Sequence, residues 1–271
     1  MKLAICHETA YHYTAPLAYT IQQLRLTPRL ESHQQTLHWN ITTSGERNAF
    51  TDAFGNLGHM LTISTQHDGV KIAVDGVVDV SLLDRGRLPD KDVLSRLVFT
   101  SPTRLIECTP TVDDFAHLHL RAGADSAGLI KLAEEICAAV AYRSGATVVT
   151  SSAADALALG EGVCQDHAHL FLACCHAHGI PARYVSGYID SGKSASAESH
   201  AWVDVWVDEK DYSGWVSIDV THAKFSNQSH CRLAVGRDYD SAAPIRGVRR
   251  GGGEESLTVD VKVAAFVQTN A

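Results

Sequence analysis

Two strictly alternating runs constrain this 271-residue chain more than any other feature. Ser199-His200-Ala201-Trp202-Val203-Asp204-Val205-Trp206-Val207 sets Ala201, Val203, Val205 and Val207 on one face and His200, Trp202, Asp204 and Trp206 on the other, the period of a strand. After a polar turn at 208–214, Trp215, Ser217 and Asp219 share one face of a second strand, and Val216, Ile218 and Val220 share the other. A hairpin that keeps the two valine faces together admits only registers in which opposed residue numbers sum to an odd value, because a one-residue slip turns every side chain over. A sum of 419 sets His200 opposite Asp219, and a sum of 421 makes them diagonal neighbours within side-chain reach. Either register lets the carboxylate hold one imidazole nitrogen and leaves the other for a reaction partner.

That partner is read from Gly160-Glu161-Gly162-Val163-Cys164-Gln165-Asp166-His167, a glycine-flanked turn that opens a helix. Ala168, Phe171, Leu172, Ala173 and Cys175 recur at three- and four-residue steps, and Gly179-Ile180-Pro181 supplies the stop. A cysteine in the first helical turn meets unpaired backbone N–H groups and the positive end of the macrodipole, a setting that favours the reactive thiolate. Cys6, Cys108, Cys137, Cys174, Cys175 and Cys231 read instead as small apolar residues. Cys164, His200 and Asp219 thus form the nucleophile, base and orienting acid of covalent acyl transfer. The Cys164 N–H is the expected oxyanion donor; Gln165 and Trp202 are weaker candidates for a second.

At these residues the sequence resembles the transglutaminase-like superfamily of thiol enzymes. It is similar in particular to the bacterial transglutaminase-like cysteine proteases that carry a β-rich N-terminal domain. The resemblance rests on Gly162-Val163-Cys164-Gln165-Asp166 with Ala168-His169-Leu170, on Gly179 to Tyr188, on Ser199-His200-Ala201-Trp202, and on Gly214-Trp215 with Asp219-Val220-Thr221. Weaker similarity covers Leu24 to Arg29, Asp52-Ala53-Phe54-Gly55-Asn56, Arg237-Asp238-Tyr239 and Pro244 to Gly247. Val220 stands where the family usually has proline, and His167 where an aromatic is common. Tyr142 resembles an aromatic placed upstream of the nucleophile, either lining the cleft or closing a core.

The resemblance implies an α+β chain: an N-terminal β-sandwich or barrel-like domain, then a papain/transglutaminase-like core whose nucleophile helix packs on an antiparallel sheet. It implies a cysteine protease or amidase-type hydrolase acting on a peptide or protein amide. The alternatives are a protein-glutamine transglutaminase and an inactive peptide-binding module.

Composition removes other classes. Net charge −8 and pI near 6.0 give no reason to expect nucleic acid. No run approaches the roughly 18–20 apolar residues of a membrane span, and residues 1–7 lack a secretory apolar region. Seven cysteines without framework spacing suit reduced thiols and a cytoplasmic setting. No cofactor or metal is expected. His167, His169, His176 and His178 lie near Cys174 and Cys175, but helical residues two apart diverge, and a Cys174–His178 pair falls short of a zinc ligand set.

In chain order, residues 1–105 read as the β-rich domain, with strands at 1–12, around 22–28, and at 36–43, 57–65 and 70–80, and turns at Pro16 and at Asp52 to Asn56. That domain supplies no catalytic constellation and reads mainly as scaffold, partly as lid or recognition surface. A connection spans 82–103, broken at Pro89 and Pro102. Residues 106–271 read as the catalytic domain: helices at 113–119, 125–142 and from 151, then the nucleophile helix and a strand at 182–189. A small, polar loop at 190–199 is expected to move and gate His200. Residues 227–250 look loop-like, Gly251-Gly252-Gly253 a flexible break, and 257–267 a late strand closing a sheet.

Overall fold

The computed structural model describes residues 1–88, 94–121, 123–192 and 199–266. Most of the polar stretch before His200, the Pro89 break and Val267 at the end of the late strand lie outside the described residues. Five strands open the chain: β1 (Lys2–Leu24), β2 (Gln34–Thr43), β3 (Glu46–Thr51), β4 (Leu57–Ile63) and β5 (His67–Val80). β1 runs through Pro16 without turning. Its pairing with β5 shifts between His12 and Leu17, and such an irregularity is where a residue without an N–H is tolerated in a strand. The first half of β1 lies beside β5 and the second half beside β4. Leu3, Ile5 and Val74 share one buried cluster with Leu24, Leu61 and Ile63, so the two halves enclose a common core. β3 has no apolar alternation because it is an exposed outer strand, so periodicity could not reveal it.

The short β6 (Arg87–Leu88) leads into α1 (Pro110–His119) and α2 (Ser126–Ala139), whose N-cap Asp125 accepts the Gly128 N–H at 2.9 Å. Then follow β7 (Ala141–Tyr142), α3 (Ala153–Leu159), β8 (Glu161–Gly162), α4 (Cys164–Ala177), β9 (Ala182–Ile189), β10 (Ser199–Asp208), β11 (Ser213–Asp219), β12 (Lys224–Phe225) and β13 (His230–Gly236). A second antiparallel sheet runs in the order β12-β11-β10-β9-β13, with β6 against β11. The valine faces of β10 and β11 and the apolar residues of α4 are buried in one cluster, and α1, α2 and α3 surround α4. No helix among the described residues is long and apolar enough to cross a membrane.

Residues 227–250 are not a loop. β13 is buried at all seven of its residues. It is followed by α5 (Tyr239–Ala242), β14 (Ile245–Gly251) and β15 (Glu255–Ala265). The three glycines between β14 and β15 all have positive φ, at 91°, 96° and 62°, and form a turn between paired strands instead of a loose break. The late strand pairs with β1, as β14 does. The N-terminal sheet therefore draws on both ends of the chain.

The face of the second sheet opposite α4 is covered by the N-terminal region. Asp52 Oδ1 accepts the N–H groups of Phe54 and Asn56, both at 3.0 Å, and Gly55 takes the left-handed conformation the turn demands, φ 74°. This turn aims Asn56 at β13, where its amide bonds the Val235 carbonyl at 2.7 Å and N–H at 2.8 Å. Behind it lies a buried ion network. Asp204, wholly buried, accepts from Arg183 Nε at 2.8 Å and from Arg232 at 2.9 and 2.6 Å. Arg232 also pairs with Glu31 of the N-terminal region at 2.9 Å. Burial pushes the Asp204 carboxyl up, but Arg232 and Arg183 outweigh it and hold the pKa far below the carboxylate range. A depressed pKa contributes stability that is full above the unfolded value near 4 and is lost only at strongly acid pH.

Asp204→Ala leaves two guanidinium groups buried without their shared anion. It is expected to lower the unfolding free energy by about 3–5 kcal/mol in urea titration; a loss below about 1 kcal/mol would mean the pair counts no more than a surface one.

Candidate active site

Each glycine of Gly160-Glu161-Gly162 has its own reason. Gly160 ends α3 in the left-handed region, φ 71°. A Cβ at Gly162 would lie 2.8 Å from Asp166 Cβ and 2.9 Å from its Oδ2, so only glycine lets that side chain close over the helix start. Asp166 Oδ2 then accepts the Val163 N–H at 2.8 Å and the Thr147 hydroxyl at 2.6 Å, satisfying a donor at the start of α4. β7 pairs in parallel with β8 and clamps the segment ahead of Cys164. Cys164 is the first residue of α4 and stays partly exposed, whereas residues 165–175 are buried.

β10 and β11 pair Val203 with Ile218 and Asp208 with Ser213, so opposed numbers sum to 421 and His200 and Asp219 are diagonal neighbours. The diagonal contact is made: His200 Nε2–H donates to Asp219 Oδ1 at 3.0 Å. Cys164, at the start of α4, lies near enough to act on the same imidazole and raise its pKa. The structure therefore joins His200 to Asp219 and sets Cys164 in the neighbourhood of the His200 ring.

Burial opposes charge on His200, but hydrogen bonds to Asp219 and Cys164 and their negative charges outweigh it and raise the pKa to about 10. Burial likewise opposes charge on Asp219, and its histidine partners outweigh it and hold the carboxyl well below its usual range. The raised imidazole stabilises the fold fully below an unfolded value near 6.5, and that contribution fades as pH rises through about 10.

Two residues missed in the sequence complete the site. His222 Nδ1–H donates to Asp219 Oδ2 at 2.7 Å, and His230 Nε2–H donates to the same oxygen at 3.0 Å. No periodic signal marks them: His222 lies in the turn after β11, and His230 opens a strand buried on both faces. Among the described residues, His200, Asp219 and His222 are the group whose donor atoms lie close enough to share a metal ion, within 4.8 Å of one another. In this structure those atoms are spent on hydrogen bonds between the residues themselves.

The remaining candidates take other roles. Trp202 is buried, donates its Nε1–H to Ser217 at 3.1 Å and lies near-parallel to the His200 ring with centroids 6.0 Å apart, which makes it a wall and not an oxyanion donor. The Gln165 amide donates to the Val149 carbonyl at 3.2 Å. Tyr142 is 59% exposed and its backbone pairs with Gly162, so it lies on the surface near the nucleophile and not in a core. His167 braces α4 between the Val140 carbonyl at 2.9 Å and Thr221 at 3.1 Å. His169, His176 and His178 bond Tyr239, Ala182 and Ala116 respectively, three separate places that gather no ligand set. Cys174 and Cys175 are buried, which pushes both thiols up and away from reactivity.

In an NMR titration the His200 ring should lose its proton near pH 10, and Cys164→Ala should bring that midpoint down by removing the sulfur's charge. An unchanged midpoint in the variant would separate the thiol from the imidazole.

Residues 118–220 match the family model described as the transglutaminase-like superfamily, and residues 3–79 match the bacterial transglutaminase-like N-terminal region. An uncharacterized protein of Mycobacterium leprae is 29% identical over 282 residues, covering 97% of this chain and 98% of that protein. One of Mycobacterium tuberculosis is 27% identical over 288 residues, covering 97% and 91%. Among solved structures, a "Putative Cysteine Protease" from Cytophaga hutchinsonii is similar in fold, with a TM-score of 0.79 at 23% identity over 100% of this chain and 92% of that one. The chain thus carries a transglutaminase-like core at residues 118–220 and, ahead of it, a bacterial transglutaminase-like N-terminal region at residues 3–79.

Proposed function

We propose that this protein is a thiol acyl-transfer enzyme that hydrolyses amide bonds of a peptide or protein through Cys164, His200 and Asp219. The observation that carries the reading is an imidazole held by Asp219 at 3.0 Å and raised in pKa by a nearby thiol that opens a helix. Such a ring can take the thiol proton and later return it, which is what a nucleophile needs from its base.

In the first half of the reaction the Cys164 sulfur attacks the amide carbonyl, forming a C–S bond. The C–N bond then breaks as His200 gives its proton to the departing amine. The negative charge on the tetrahedral oxygen meets the Cys164 N–H, which as a first-turn amide has no intrahelical partner. In the second half, water attacks the thioester, His200 takes one of its protons, and the acid leaves with the thiol restored. An amine in place of water would yield transamidation by the same steps. Seven free thiols suit a reducing compartment, which supports a cytoplasmic location.

Cys164→Ala is expected to abolish peptide hydrolysis, and Asp219→Ala to lower kcat by about 10²–10⁴-fold while leaving a residual rate. Full turnover in Cys164→Ala would refute the assignment. Mass spectrometry should capture an acyl group on Cys164 during turnover of a peptide mixture. Added primary amine should leave the hydrolysed acid as the main product, and predominant amine incorporation would move the reading to transglutamination.

A further inference from the structure

The Asp219 carboxylate offers about four lone-pair directions, and four donors fill them. Oδ1 accepts His200 Nε2–H at 3.0 Å and the His222 backbone N–H at 3.3 Å, while Oδ2 accepts His222 Nδ1–H at 2.7 Å and His230 Nε2–H at 3.0 Å. The terminal torsion of an aspartate is broad, so its own rotamer does not aim the carboxylate. One hydrogen bond to a mobile imidazole would leave both groups free to swing together. We propose that His222 and His230 are positioning residues that lock the Asp219 carboxylate so that Oδ1 faces His200. The proposal rests on the acyl-transfer reading of Cys164.

Each histidine is prepared for this task. His230 Nδ1 accepts the Asn227 N–H at 3.2 Å, which leaves the proton on Nε2 for Asp219. Burial disfavours a charge on that ring and Asp219 only partly offsets it, so the pKa is lowered and His230 acts as a neutral donor. His222 is carried by the turn that closes from Val220 to Ala223, where Ala223 holds φ 46°. A non-glycine residue adopts that left-handed conformation only at a cost, and the turn returns the His222 ring over Asp219. The side chain of His222 is 43% exposed, so it contributes little to the core. The titratable groups acting on this cluster from neighbouring elements are Cys164 and His167 on α4, Cys137 on α2 and Lys224 on β12.

An orienting role and a purely electrostatic one differ in sign. If Asp219 stayed in place, removing a donor from Oδ2 would leave more charge on Oδ1, strengthen its hold on the imidazolium and move Cys164 reactivity toward lower pH. If the donors aim the carboxylate, removing one loosens the His200 contact and moves reactivity toward higher pH. The measurement is the rate of Cys164 alkylation by iodoacetamide across pH, read on the Cys164 peptide by mass spectrometry. His222→Ala should shift the acid limb upward by about one pH unit, or about tenfold slower alkylation below it. His222→Asn, whose amide nitrogen takes the place of Nδ1, should restore the limb, and His230→Gln should hold it better than His230→Ala. A limb that moves downward in His222→Ala, or does not move while wild-type Cys164 is hyperreactive, overturns the proposal alone. A wild-type Cys164 that alkylates like a free thiol overturns the acyl-transfer reading and the proposal with it.

Discussion

A carboxylate taken out of water at the end of β11 must be met by donors or lose its charge, and the chemistry of this protein depends on how Asp219 is met. Its partners are imidazoles drawn from β10, from the turn after β11 and from β13. Those segments converge because β11, β10, β9 and β13 lie in one sheet, so the order of strands is also the means of gathering the donors. The sulfur arrives separately, on a helix whose start is shaped by a glycine that makes room for Asp166. His200 joins the two halves.

A second buried carboxylate on the neighbouring strand shows what a different partner does. Asp204 is as deeply buried as Asp219, but it is met by the guanidinium groups of Arg183 and Arg232. A guanidinium keeps its proton at any pH the protein meets, so this network is an unchanging brace. An imidazole can release and recover a proton, so the histidine-paired carboxylate is the one suited to a reaction. The brace continues through Glu31 into the N-terminal region, and Asn56 adds hydrogen bonds to β13. The N-terminal region thus backs the sheet that carries His200 and Asp219.

Periodicity revealed elements with two unlike faces and was blind to those without. α2, α4, β10 and β11 each carry apolar residues at helical or alternating spacing, which located them within a few residues. β3 is exposed on both faces, so it lacks contrast along its length. Pro16 and the triple glycine carried strong turn chemistry. One became an irregularity within a long strand and the other a turn between strands, because local preference does not say which neighbours a strand will find.

What the sequence by itself determined is the identity and spacing of the candidate site residues: a cysteine opening a helix, a histidine opening a strand, and an aspartate on the matching face of the next strand. Side-chain parity limited the hairpin to odd sums, because a strand's faces alternate strictly. Only the tertiary structure chose 421 over 419, since both keep the valines on one side and the choice depends on how the turn packs. It alone joined β14 and β15 to β1, because hydrophobic alternation marks a strand without naming its partner. It alone brought His222 and His230 to Asp219, because hydrogen bonds between side chains that local pattern does not link depend on where the backbone returns, which spacing does not encode.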